Sequence, residues 1–273
     1  MKKTLLILIL LIPTSVFAAP SAELWSYWQK HNPENSLRVD HSSWQNWLQK
    51  YVQQGSDGIN YVAYKTVSEA DKKQIASYIS GLEKIKITQH NRAEQRAFWI
   101  NLYNALTVEL ILRHYPVDSI RDIDISPGFF SSGPWQKKLL MIEKQPLSLD
   151  DIEHRILRPI WQDPRIHYAV NCASIGCPNL SKEAFRSDNT DALLTEGAIA
   201  YINHPRGVSV KDRELSLSSI YKWFRGDFGK SDQDIINHLM QYAAPALKQT
   251  LSSMSEIDEY QYDWNLNESE LNL

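Results

Sequence analysis

The chain has 273 residues, 43% of them hydrophobic, and its 29 basic and 32 acidic side chains give a formal net charge of −3. This composition is typical of a globular protein with enough apolar residues for a full core. Basic residues are interspersed with acidic ones and form no block, which excludes the electrostatic footprint of a nucleic-acid-binding protein.

The N-terminus has the pattern of a secretory signal peptide. Lys2 and Lys3 precede a short apolar run, and Val16 and Ala18 occupy the −3 and −1 positions of a cleavage site. The apolar run is too short for a membrane-spanning helix. We therefore expect removal of residues 1–18 by cleavage after Ala18 and a periplasmic or secreted mature chain without a membrane span. An uncut N-terminal anchor is the alternative.

Residues 19–58 are predicted to form an N-terminal helical region, because "SSWQNWLQKYVQQ" has its apolar residues at helical spacing. "GINYVAYKTV" then predicts a short strand, and Ser68 is the expected N-cap of the helix "EADKKQIASYISGLEKI". Residues 59–265 are predicted to form a core domain, and residues 266–273 an acidic tail.

The stretch from Ala97 to Leu112 predicts a buried helix, because it is apolar on nearly every face. Asn101 and Asn104 lie three residues apart in it and therefore share one face. A buried amide needs hydrogen-bond partners. The two asparagines therefore either tie down neighbouring backbone or take a catalytic role, orienting an imidazole or donating to an oxyanion.

Short elements follow in an irregular order. "KKLLMI" predicts a strand, "LSLDDIEHRILRPIW" a helix, "RIHYAVN" a buried strand, "NTDALLTEGAIAYIN" a helix and "VSVKDRELSLS" a hairpin. A helix interrupted at Pro245 and a strand through "EYQYDW" complete the chain. Because the order lacks βα regularity, we expect an α+β fold with the buried central helix packed on a mixed or antiparallel sheet.

Both cysteines lie in "RIHYAVNCASIGCPNL", residues 165–180. In a straight strand His167 and Cys172 point to opposite faces, so contact between them requires the chain to turn at Asn171 or Cys172. Cys172 is a candidate nucleophile with His167 as its base. His154, next to Glu153, is the alternative base.

A disulfide between Cys172 and Cys177 is the competing interpretation, and export favours it. The C-x4-C spacing matches neither a thioredoxin-like C-x-x-C motif nor a zinc knuckle. We therefore predict no metal and no cofactor. The same pair of cysteines is thus either a catalytic centre or a structural bridge.

Four stretches, "AFWINLYNALTVELIL", "LSLDDIEHRILR", "DPRIHYAVNCASIGCPNL" and "YDWNLN", resemble the family known as domain of unknown function 547. The resemblance is dense from Arg92 to Leu180. It implies an exported bacterial protein. Plant members keep the His-aromatic-Ala and the first cysteine but have serine in place of Cys177, which implies that any shared chemistry involves Cys172 and His167. The chain is also similar to papain-like and transglutaminase-like folds, although its central helix lacks their cysteine.

Two functions follow as hypotheses. The first is a thiol-dependent hydrolase or acyl transferase acting on peptide-like or thiol-containing small molecules, with Cys172 as nucleophile, His167 as base and Asn101 or Asn104 as orienting amide. The second is a non-catalytic periplasmic binding or interaction domain with a structural Cys172–Cys177 disulfide. Both take a small molecule or a peptide as ligand, and the sequence does not indicate an oligomeric state.

Overall fold

The computed structural model describes residues 21–128 and 133–269. The predicted signal peptide and residues 270–273 of the predicted tail lie outside these ranges. Within them the α-helices are α1 (Ser42–Tyr51), α2 (Glu69–Leu82), α3 (Arg92–His114), α4 (Arg158–Trp161), α5 (Thr190–Ile202), α6 (Ile220–Trp223), α7 (Arg225–Phe228), α8 (Asp232–Tyr242) and α9 (Pro245–Leu251). A π-helix spans Asp151–Leu157, and 3₁₀ helices span Ser26–Gln29, Tyr64–Thr66, Ile87–Gln89, Ile120–Asp122 and Pro164–Tyr168.

The strands form three small sheets, which together with the helices confirm the α+β class. The strands are β1 (Val52–Gln54), β2 (Asn60–Val62), β3 (Leu140–Ile142), β4 (Gln145–Leu147), β5 (Val208–Lys211), β6 (Glu214–Ser218) and β7 (Glu259–Gln261). The pairs β1–β2, β3–β4 and β5–β6 are antiparallel, and β7 joins β6 in parallel, with Leu217 opposite both Val208 and Tyr260. The predicted hairpin and the helix break before Pro245 are confirmed.

The predicted buried helix is α3, the centre of the larger hydrophobic cluster. Asn91 caps its start by accepting a hydrogen bond from Glu94 N–H at 2.9 Å. The helix ends just before Tyr115 and Pro116, and a proline cannot continue it. Its main neighbours are α2, the π-helix and α5. A second cluster lies around β5, β6, α5 and α8.

Within the predicted helix "LSLDDIEHRILRPIW", Asp151–Leu157 form a π-helix and not an α-helix, because of Pro159. Proline has no N–H to donate, and in an α-helix its ring clashes with the carbonyl one turn earlier. The chain widens before it, so that Arg158 N–H donates to Glu153 O, five residues back. Isolated π-turns of this kind are frequent at functional sites.

The N-terminal segment pairs with carbonyls that the π-helix leaves without helical donors. The N–H groups of Glu23 and Trp25 donate to the carbonyls of His154 and Arg155, each at 3.0 Å. The Arg155 guanidinium also lies over the Trp25 ring, 4.5 Å from its centroid. Residues 23–25 are thereby fixed against the π-helix.

The prediction of a strand over "RIHYAVN" was wrong, because residues 164–168 form a 3₁₀ helix. Asp163 caps this helix by accepting from Arg165 N–H at 2.9 Å. Pro164 takes its first position, where the missing N–H removes no hydrogen bond. Residues 166–170 are all buried, so neither face of this stretch is turned to solvent.

The two asparagines of α3 tie down the chain on either side of the cysteines. Asn104 donates from Nδ2 to Ala169 O at 2.9 Å and accepts from Asn171 N–H at 2.9 Å. Asn101 donates to Phe185 O at 2.7 Å and accepts from Phe185 N–H at 2.9 Å. Each amide thus hydrogen-bonds one backbone N–H and one backbone carbonyl inside the core, as a neighbouring strand would.

We predict that Asn104→Ala destabilises the protein by roughly 2 to 4 kcal/mol, since it leaves a buried N–H and a buried carbonyl unpaired. The change in the free energy of unfolding is measured by urea denaturation. His114→Ala, at the exposed end of the same helix, is the control and should change stability by less than about 0.5 kcal/mol. Equal stability of the two variants would show that the hydrogen bonds of the Asn104 amide do not stabilise this segment.

Candidate thiol site

The chain turns immediately after Val170 and brings the two cysteines together. Ala173 adopts a left-handed conformation with φ of 59°, which reverses the chain direction. The two sulfurs lie 2.9 Å apart as free thiols, and the Cys172 N–H also donates to Cys177 Sγ at 2.9 Å. Cys177 is buried, whereas Cys172 is partly exposed.

The C-terminal segment forms the other side of this turn. The N–H groups of Ile175 and Gly176 donate to the carbonyls of Asn265 and Asp263, each at 2.8 Å. A Cβ on Gly176 would lie only 2.8 Å from Asp263 N, so the close approach of the two segments requires glycine.

Two hydroxyl groups surround the sulfur of Cys172. Tyr262 OH lies 3.0 Å from Cys172 Sγ, and Ser174 Oγ lies 3.2 Å from it. The two hydroxyls are also 2.9 Å from each other. The sulfur therefore has three polar contacts, counting the Cys177 thiol, and each can donate a hydrogen bond to a thiolate.

These contacts give the two thiols opposite acidities. The hydrogen bond from Cys177, followed by those from Ser174 and Tyr262, lowers the pKa of Cys172 to about 7, against the opposing effect of burial. Burial raises the pKa of Cys177 well above its usual value, and the neighbouring Cys172 charge raises it further. Cys172 is therefore the thiolate of the pair, and Cys177 keeps its proton.

Tyr262, which contacts Cys172, belongs to a group of partly exposed aromatic rings. The Tyr262 ring packs against Trp223 at 4.8 Å and against Trp264 at 4.6 Å between centroids. Trp264 in turn contacts the Trp135 ring at 5.9 Å, and the Arg121 guanidinium lies 5.3 Å from the Trp264 centroid. We call these four rings, of Trp135, Trp223, Tyr262 and Trp264, the aromatic wall.

His167 does not bond to the cysteine pair. Its Nε2 lies 2.7 Å from Asp227 Oδ2, its ring stacks on Phe224 at 4.3 Å, and its Nδ1 lies 3.7 Å from Glu153 Oε1. Burial lowers its pKa, although Asp227 opposes this effect. Within residues 21–128 and 133–269, no histidine is a hydrogen-bond partner of Cys172. The role of His167 as base stays a prediction, without a contact to support it.

The alternative base, His154, lies in the π-helix beside Glu153. Its Nδ1 is 3.0 Å from Arg158 Nη1, and burial together with the Arg158 charge lowers its pKa to about 3. Burial raises the pKa of Glu153 to about 8, in spite of Arg158 and the Tyr103 hydroxyl. Both side chains are therefore uncharged at neutral pH, and neither hydrogen-bonds to Cys172.

The sequence predicts the two cysteines as site residues, but it does not indicate that Ser174 and Tyr262 contact Cys172. Nor does it indicate that Asp227 contacts His167. The motif "YDWNLN" carries part of the family resemblance, and the sequence predicts a strand through "EYQYDW". β7 ends at Gln261, so Tyr262 is free to point toward the cysteines. The only sequence signal for this contact was the recurrence of a distinctive motif far from the rest of the resemblance.

Among the residues that the structure describes, no group of three or more histidine, cysteine, aspartate or glutamate side chains is arranged to hold a metal ion. In the same residues, no helix combines the length and the apolar character needed to cross a membrane.

Comparison with known proteins identifies one family. The family model described as "Protein of unknown function, DUF547" matches residues 87–202, which include α3, the π-helix, both cysteines and α5. No curated protein and no solved structure matches the chain. Tyr262 and Trp264 lie beyond the matched range and complete the thiol site from outside it. Residues 87–202 of this chain are therefore similar to the DUF547 family, which supports the resemblance that the motifs of the sequence indicate.

Proposed function

We propose that Cys172 and Cys177 are a redox-active thiol pair that exchanges disulfides with thiol-containing small molecules or peptides. The observation that carries this proposal is the 2.9 Å separation of two thiols with opposite acidity. A nucleophilic thiolate and a protonated resolving thiol are the two parts that thiol–disulfide exchange needs. Export, which the N-terminal sequence predicts, would bring the pair into contact with disulfides.

Cys172 is the attacking sulfur in this proposal. With a pKa of about 7 it is about half ionised at neutral pH, and a thiol with a pKa near the ambient pH is the best nucleophile for exchange. It is also the more exposed member of the pair. The aromatic wall beside it offers apolar surface to the carbon skeleton of a substrate.

The exchange proceeds in two displacements. The Cys172 thiolate attacks one sulfur of the substrate disulfide, and the other substrate sulfur leaves as a thiolate and takes a proton from water. Cys177 then gives its proton to solvent through the site and attacks Cys172 Sγ, which releases the remaining substrate sulfur as a thiol. Two electrons pass from the protein to the substrate, and a Cys172–Cys177 disulfide forms. The reverse sequence oxidises a substrate dithiol.

We predict that alkylation of Cys172 by iodoacetamide rises with pH with a midpoint near 7, because only the thiolate reacts. Cys177→Ala should move the midpoint upward, since it removes the largest hydrogen bond to the thiolate. Ser252→Ala, an exposed serine on the surface, is the control and should leave the midpoint unchanged. Peptide mass spectrometry follows the modification of Cys172. A profile that Cys177→Ala does not shift would contradict the assigned role of Cys177.

We predict that the protein catalyses the reduction of bis(2-hydroxyethyl) disulfide by dithiothreitol and that Cys172→Ser lowers the rate to the uncatalysed background. When it is treated with the disulfide alone, without dithiothreitol, Cys177→Ser should retain the first displacement and accumulate one substrate half on Cys172, visible as a mass increase of the intact protein. A catalysed rate that survives Cys172→Ser would exclude the proposal, as would the absence of this adduct on Cys177→Ser when dithiothreitol is left out.

The hydroxyls of Ser174 and Tyr262 favour a second candidate, the predicted thiol-dependent hydrolase or acyl transferase. Both lie near Cys172 Sγ, where they are placed to donate to the oxyanion that forms when a thiolate attacks a thioester or peptide carbonyl. This reaction does not use a second cysteine. Thioester hydrolysis that persists in Cys177→Ala and is lost in Cys172→Ser would favour it over disulfide exchange.

The non-catalytic alternative is a binding domain with a permanent Cys172–Cys177 bridge. Mass spectrometry of the exported protein separates it from the two enzymatic proposals. A quantitative disulfide that resists mild reductant supports the binding domain. A pair that is readily reduced and alkylated supports chemistry at Cys172.

A further inference from the structure

A polar cleft of about 410 Å³ opens at the start of the π-helix, and the thiol site does not contribute to its lining. One side is the N-terminal segment with Glu23, and the other is the π-helix with Asp150, Asp151 and His154. The hydrogen bond from Glu23 N–H to His154 O fixes the two sides relative to each other. The cleft is therefore a built feature of the fold, within the size range of small-molecule sites.

Asp151 forms salt bridges with both cations of the cleft, Lys138 and Arg155. Its carboxylate accepts from Ser148 N–H and Ser148 Oγ, each at 2.8 Å, and from Arg155 at 3.1 Å, and it also pairs with Lys138. A ligand would have to compete with Asp151 in order to recruit either cation. Both positive charges that line the cleft are thus paired with the single charge of Asp151.

Asp150 and Glu23 have no such cation. Within residues 21–128 and 133–269, the Asp150 carboxylate accepts no hydrogen bond, and Glu23 has only a contact from Ser21 Oγ at 3.3 Å. Neither carboxylate forms a salt bridge with a lysine or arginine in these residues, although the Lys138 charge acts on Asp150. Glu23, Asp150 and Asp151 outnumber Lys138 and Arg155 in the lining, so the net charge of the cleft is negative when all five are ionised.

The His154 ring adds a hydrogen-bond donor that has no acceptor among the residues that the structure describes. Arginine can only donate, so the contact from Arg158 to Nδ1 places the imidazole proton on Nε2. The side chain is only 5% exposed and lines the cleft, yet the nearest carboxylate oxygen, Asp150 Oδ1, is 3.7 Å from Nε2. That distance is too long for a hydrogen bond. A ring N–H that lines a cleft and has no acceptor among the described residues indicates a place for a ligand oxygen.

We infer that this cleft binds a small organic cation that carries an amine and a hydroxyl on neighbouring carbons, as amino alcohols and amino sugars do. The ammonium group lies between Asp150 and Glu23. The hydroxyl oxygen accepts from His154 Nε2–H and donates to Asp150, which closes the gap between these two side chains.

The charge of Asp150 gives this site a pH dependence. Burial and the neighbouring Asp151 charge raise the pKa of Asp150 to about 6, and Lys138 opposes this shift. Below that pH Asp150 is protonated and loses its attraction for a cation. His154 stays neutral over the same range, because its pKa is about 3. Asp151 stays ionised, since its pKa is lowered, and it stays paired with Lys138 and Arg155.

The test is an NMR titration of the intact protein with 2-aminoethanol, with ethylene glycol as the uncharged probe. We expect saturable shifts around Trp25 and His154 with 2-aminoethanol only, and an affinity that falls as the pH drops below about 6. Asp150→Asn should weaken binding about tenfold or more at pH 7.5, since it removes a charged hydrogen-bond acceptor. Glu23→Gln, at an exposed position, should weaken binding without any risk to the fold.

Asp212→Asn is the matched control, because it removes one negative charge at the exposed turn between β5 and β6. It should leave the affinity unchanged. Equal binding of the two probes, undiminished binding by both Asp150→Asn and Glu23→Gln, or no saturable binding would each overturn the inference. None of these results bears on the chemistry of Cys172, so the proposals for the cleft and for the thiol pair are tested independently.

Discussion

The whole thiol site depends on the pairing of buried backbone groups with two amide side chains of α3. Asn104 holds the chain just before Cys172, and Asn101 holds it at Phe185, beyond Cys177. An apolar helix alone could offer no hydrogen bonds to an irregular loop buried beside it. The two asparagines supply them, which allows a loop without regular secondary structure to lie in the core and present its cysteines at one edge.

The C-terminal segment, like α3, forms hydrogen bonds that hold the cysteine turn in place. Leu266 N–H donates to Asp118 O at 2.7 Å and Asn267 N–H donates to Ala173 O at 3.1 Å, so the chain end runs along the cysteine turn. Residues 266 and 267 are buried, although the sequence suggested a tail from residue 266. This segment also carries Tyr262 to Cys172. The pKa of Cys172 thus depends in part on Tyr262, about ninety positions further along the chain.

The elements that could be predicted from the sequence are those specified by local signals. The buried α3 follows from its continuous apolar composition, and the start of α2 follows from Ser68, which accepts from Asp71 N–H at 3.2 Å. The strand predicted over residues 165–171 failed because every residue from 166 to 170 is buried, so apolar periodicity carries no information there. Asp163 followed by Pro164 was the local signal for a helical turn.

The features that the sequence could not reveal depend on distant partners. The π-helix needs donors from Glu23 and Trp25, and the thiol site needs the hydroxyl of Tyr262. The cysteine pair itself was identifiable from the sequence, but whether a histidine faces it was not. His167 instead pairs with Asp227, about sixty residues further along the chain. Such contacts are decided by the packing of whole elements and leave no pattern within a short window.

The buried ionisable groups near the site leave hydrogen bonds, and not the charge of a histidine, to lower the pKa of Cys172. Burial lowers the pKa of His154 and of His167 and raises that of Glu153 to about 8, so all three are neutral near pH 7. No imidazolium is then present to stabilise a thiolate by its charge. The hydrogen bonds from Cys177, Ser174 and Tyr262 take over that role. They favour the thiolate without placing a further charge in the core, where an unpaired ion would be strongly destabilising.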